Sequence, residues 1–82
     1  MPELDNRERE VLASFAARVD RNDPGALNNL GVLYFRKGMY EDAIVQFKSA
    51  LKIDARFDLA RENLQYLFSE TGTEDPDVSR WK

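Results

Sequence analysis

At 82 residues the chain is one small domain, near the size at which a single core barely suffices. Hydrophobic content of 43% and charged content of 33% fit a globular chain rather than a disordered one, and no apolar run approaches the roughly 20 residues that span a bilayer. With no cysteine and no histidine, disulfides, thiolate and imidazole chemistry and the usual zinc ligands are excluded together, and a net charge of −3 argues against phosphate-dominated nucleic-acid binding.

The opening "MPELDNRERE" lacks the basic-then-apolar layout of a secretion signal, so a cytoplasmic location is the expectation. A first helix is predicted over about residues 3–21, with Leu4, Val11, Leu12, Phe15, Ala16 and Val19 on one face and "RERE" at 7–10 largely opposite. "NDP" at 22–24 ends it. Asp23 suits the N-cap of a second helix and Pro24 its first turn, where a missing N–H costs nothing. That helix runs to about Lys37 and stops at Gly38, a plausible left-handed cap.

A third helix is predicted over about Tyr40–Ile53, facing inward with Ala43, Ile44, Phe47, Ala50 and Leu51. Met39 stands where a capping side chain is expected, and Glu41 and Asp42 offset that through the helix dipole. A fourth spans about Phe57–Glu70 and ends near Gly72; Asp75 and Pro76 then suggest a last short helix. Nothing alternates with period two, so the prediction is all-α: four helices and a C-terminal helical stub.

The sequence also matches itself at an offset of 34 residues. Ala26, Asn29, Leu30, Leu33 and Gly38 fall on Ala60, Asn63, Leu64, Leu67 and Gly72. Ala16 and Val19 fall on Ala50 and Ile53, and in the tail Val78 lands on Ile44 and Trp81 on Phe47. A helix pair stacked on itself at that interval gives an antiparallel helix-hairpin solenoid. Gly31, inside a helix at roughly 1 kcal/mol against alanine, is explained if two helices approach closely there, with Ala43 as its partner.

Residues 24–57 resemble a tetratricopeptide repeat, whose pattern is W-x2-L-G-x2-Y, then A-x3-F, then A, then P. Leu27, Leu30, Gly31, Tyr34, Gly38, Tyr40, Ala43, Phe47 and Ala50 occupy the matching places. Leu27 stands where tryptophan is typical and Ala55 where proline is. Over 58–82 the resemblance is partial: Arg61 replaces an apolar position, Gln65 the glycine and Asp77 the alanine. The chain thus divides into a capping helix at 1–23, a complete repeat at 24–57 and a partial repeat with tail at 58–82.

The resemblance implies a protein-interaction module, adaptor or scaffold, with no cofactor and no metal. It places Asn28, Asn29, Val32, Phe35 and Arg36 on a concave groove, joined by Glu62, Asn63, Tyr66 and Ser69 of the partial repeat. Asn29 and Asn63 can donate and accept along a peptide backbone or pair within the solenoid. Arg36 can meet a carboxylate or stay solvated. Repeats that clamp the C-terminal carboxylate of heat-shock chaperones have lysine at Asn28 and asparagine at Val32; neither is present.

Three further expectations follow. Leu64, Leu67 and Phe68 need cover, so the chain folds its stub back, homo-oligomerises through an edge that includes Trp81, or belongs to a longer array, with Trp81 as core plug or interface anchor. Glu41, Asp42 and Glu62 form no evident acid–base pair, so the chain is not expected to be an enzyme. Arg18, Arg21, Arg36 and Lys37 are the nearest approach to a basic patch, and neither nucleic acid nor membrane is an expected partner.

Overall fold

The computed structural model describes residues 5–72, which form four helices. These are α1 (Asn6–Arg18), α2 (Pro24–Arg36), α3 (Tyr40–Ile53) and α4 (Asp58–Thr71), with no strand among the described residues. The predicted helix after Asp75 and Pro76, and Leu4, lie outside the described residues.

Local chemistry sets the helix ends. Asp5 caps α1 by accepting from the Glu8 N–H at 2.7 Å. Asp23 caps α2 as predicted, its Oδ1 accepting from the Gly25 and Ala26 N–H groups at 2.9 and 3.3 Å. The turn after α2 requires Gly38 at φ 76°, while the Met39 N–H closes back on the Tyr34 carbonyl at 2.9 Å. Met39 and Phe57 begin α3 and α4 without a side-chain cap, and Glu41, Asp42 and Asp58 sit in those first turns, where a negative charge meets the helix dipole favourably. Gly72 ends α4 at φ 69°.

α2 and α3 form the main antiparallel hairpin, and α4 packs chiefly on α3 and partly on α2. Leu27, Ala43, Phe47, Ala50, Leu51, Ala60, Leu64 and Leu67 make one buried cluster. Its three alanines are fully buried, and their small size lets the helices approach closely. Gly31 does serve a close approach, but what fills its place is the ring of Phe47: a Cβ on residue 31 would lie 2.5 Å from the nearest ring atom. The Cβ of Ala43 is not among the three nearest atoms, so the ring rather than Ala43 explains the glycine.

The expectation for α1 needs correction. Leu12 is buried, but Val11 and Phe15 are 65% and 44% exposed, and Ala16 and Val19 are half-buried. Among the described residues no helix packs extensively on α1, so much of its apolar stripe is left uncovered. A Lys37–Glu8 contact at 3.8 Å joins α1 to the α2 end; both side chains are exposed, so it contributes little. Among the described residues no helix is long and apolar enough to cross a membrane.

Candidate peptide-binding groove

α2 and α4 stand side by side with α3 behind them, and a cavity of about 230 Å³ opens between them. Val32, Phe35 and Arg36 reach it from α2, Asn63 and Tyr66 from α4, and Phe47 from α3. Their spacing follows from helical geometry: residues three and four apart share a face, so Val32, Phe35 and Arg36 project together, as do Asn63 and Tyr66.

Phe35 is held from two sides. Its ring meets Tyr40 edge-on at 5.4 Å and 67°, and Tyr66 at 5.8 Å and 38°. Such aromatic contacts are worth about 0.5–1.5 kcal/mol each beyond the area they bury. Tyr66 nevertheless remains 57% exposed. Its phenol is raised above the ordinary value of 10.0 by a hydrogen bond to Glu70 and by that carboxylate's charge, so it is neutral at physiological pH.

The asparagines behave differently from each other. Asn63 donates through Nδ2 to Oδ1 of Asn28 at 3.0 Å. Asn28 is only 6% exposed, so this bond satisfies an otherwise costly buried amide and ties α2 to α4. Pairing within the solenoid therefore does occur, but Asn63 takes Asn28 rather than Asn29. Asn29 is exposed and does not line the cavity.

Of the nine groove positions implied by the resemblance, Val32, Phe35, Arg36, Asn63 and Tyr66 come together on one cavity. Asn28 sits beneath it through Asn63, while Asn29, Glu62 and Ser69 are exposed outside its lining. Arg36 is exposed, and no carboxylate among the described residues pairs with it. Phe47 is not among the expected groove residues, since the pattern places it on the inward face of the third helix. The available signal was Gly31 beside Val32: a bare backbone there lets the ring slide under the groove.

The supposed self-association edge is largely internal. Leu64 and Leu67 are 3% and 0% exposed and belong to the chain's own core, and Phe68 is half-buried against it. Trp81 lies outside the described residues. Among the described residues no group of three or more acidic side chains is placed to hold a metal ion.

Residues 24–62 match the family model described as tetratricopeptide repeat. Comparison with curated proteins and with solved structures returned no match. The matched span contains the α2–α3 hairpin, the Gly31–Phe47 contact and the first turn of α4. The sequence pattern, the hairpin geometry and this match agree on a tetratricopeptide-like helical hairpin over residues 24–62, a kind of repeat that generally mediates protein–protein interaction.

Proposed function

We propose that this chain is an adaptor or scaffold that holds an extended segment of a partner protein in the cleft between α2 and α4. The observation that carries the reading is the meeting of Val32, Phe35, Arg36, Asn63 and Tyr66 on one cavity. Apolar walls with a few convergent polar groups are what a short peptide needs: burial for a side chain and orientation for the backbone. The Asn28–Asn63 bond holds the polar end of the cleft in place, and Arg36 at the rim offers a fixed cation.

The test is peptide selection from a random displayed library, followed by amide chemical-shift mapping of the selected peptide on the full chain. Shifts concentrated in α2 and α4, with binding lost in Phe35→Ala/Tyr66→Ala while the helical circular-dichroism spectrum persists, are expected. Equal recovery by wild type and that double variant would discredit the cleft. Homo-oligomerisation through the α4 edge is the weaker reading, because Leu64 and Leu67 are already committed to the core.

A further inference from the structure

A second cavity, of about 560 Å³, lies between the first turn of α3 and the last turn of α4, and it shares no lining residue with the cleft. Its volume falls within the roughly 300–1,000 Å³ of ligand-sized sites, whereas the cleft is smaller. Met39, Tyr40, Ile44, Leu67 and Phe68 wall it. Leu67 is fully buried and the other four are half-buried, so the hollow is apolar and rests on the core.

Two independent features make this hollow electronegative. Glu41 and Asp42 stand exposed on its rim, and neither meets a cation among the described residues. They offset the positive pole of the α3 N-terminus, worth about half a charge, and the larger part of two negative charges remains. The facing wall is the C-terminal end of α4, where the helix dipole presents its negative pole. α1, α2 and α3 each carry a cation in the last turn, Arg18, Arg36 and Lys52, and α4 carries none. No lysine or arginine lines the cavity. Negative potential on both walls of an apolar hollow is focused into the space between them.

We propose that this end of the molecule is a second interaction surface, taking a segment of a partner protein that seats a bulky apolar side chain in the cavity with a lysine or arginine beside it on the rim. The cation gains from both walls, while its apolar neighbour buries area against Ile44 and Phe68. An acidic segment would meet Glu41, Asp42 and the α4 terminus together and be repelled by all three. A second copy of the chain is a poorer occupant, because its net charge of −3 opposes approach to a surface already negative. With the proposed cleft, the chain then has two separate docking sites, as a scaffold requires.

The test titrates two synthetic peptides, N-acetyl-Lys-Trp-Lys-amide and N-acetyl-Glu-Trp-Glu-amide, into the isotope-labelled full chain at low ionic strength. The expected result is saturable shifts at the Ile44 methyls, the Phe68 ring and the Thr71 amide, with the lysine peptide preferred several-fold. The preference should shrink as salt is added. Glu41→Gln/Asp42→Asn should weaken the lysine peptide and bring the two peptides closer together, with the helical circular-dichroism spectrum intact. Glu41→Lys/Asp42→Lys should reverse the order. Equal shifts from both peptides in wild type would overturn the proposal, as would a lysine-peptide preference indifferent to the charge substitutions. So would shifts confined to Phe35 and Tyr66 in the cleft. Ile44 and Phe68 signals that move with protein concentration before any peptide is added would also overturn it, by seating a second copy in the cavity.

Discussion

The ring of Phe47 occupies the space that a side chain on residue 31 would need. A Cβ there would lie 2.5, 2.7 and 3.0 Å from three of its ring carbons, and the ring, 1% exposed, is walled in by the core. Gly31→Ala sets two effects against each other. Helix propensity gains about 1 kcal/mol, and overpacking costs about 1–3 kcal/mol or more. At these distances the overpacking wins. The expected result is a net loss of about 1–2 kcal/mol in urea unfolding. In a Phe47→Leu background, itself destabilised, the same substitution should become neutral or favourable, and the double-mutant cycle measures the coupling.

The Asn28–Asn63 bond makes a second prediction. Asn63→Ala removes the donor and leaves the buried Asn28 amide without it, at about 1–3 kcal/mol. Asn28→Leu/Asn63→Leu removes both amides and keeps the volume, and should cost less than Asn63→Ala alone. Chemical denaturation of the three proteins decides this. A double variant worse than the single would mean that the bond is not the main role of either amide.

Two departures from the repeat pattern turn out to be joined. Ala55 stands where the pattern has proline, and Arg61 where it has an apolar residue. Arg61 donates through Nη2 to the Ala55 carbonyl and through Nη1 to Asp58 at 3.0 Å. The guanidinium thus restrains a turn that proline would otherwise stiffen. Asp54, at φ −135° and ψ 97°, is already in the extended region that a following proline demands. Ala55→Pro should therefore stabilise by about 0.4–1 kcal/mol, through the unfolded state. The gain should be larger in an Arg61→Met background, as thermal melts of the four combinations would show.

Most of the fold was legible because its signals are local or periodic. Asp23–Pro24, Gly38 and Gly72 mark helix ends by their own backbone and side-chain chemistry, and the 34-residue offset carries the hairpin. The cleft was legible only through the family pattern, which brought five of nine positions to one cavity. What escaped depends on packing partners. The α1 stripe reads as inward-facing, yet how much of it is covered depends on what lies beside the helix, which periodicity does not encode. Likewise the Asn28–Asn63 partnership and the Arg61–Ala55 tie depend on rotamers and on the angle between α2 and α4, not on residue type.

Tyr66 offers a spectroscopic check on the cleft. Its phenol is raised chiefly by the hydrogen bond to Glu70, with that residue's charge second. Glu70→Gln removes the charge and weakens the bond, so the Tyr66 pKa should fall toward the ordinary tyrosine value. Tyr34 should hold its own raised pKa, because burial is the main cause there and Asp42 the second. Site-resolved NMR titration of the two rings separates them. An unchanged Tyr66 in Glu70→Gln would mean that the pair does not form in solution.

The two faces of α1 make the sharpest contrast in stability. Leu12 is 6% exposed while Val11 beside it is 65% exposed. Leu12→Ala empties a buried site and should cost about 2–5 kcal/mol, whereas Val11→Ser should fall within about 0.5 kcal/mol of wild type apart from helix propensity. Phe15→Ser lies between, since the ring is 44% exposed and keeps part of its area in contact. The ordering Leu12, Phe15, Val11 in urea midpoints, measured at protein concentrations a hundredfold apart, also reports on association. If Val11→Ser proved as costly as Leu12→Ala, and only at high concentration, the exposed stripe on α1 would be covered by another copy of the chain. A concentration-independent ordering places the whole difference within one molecule.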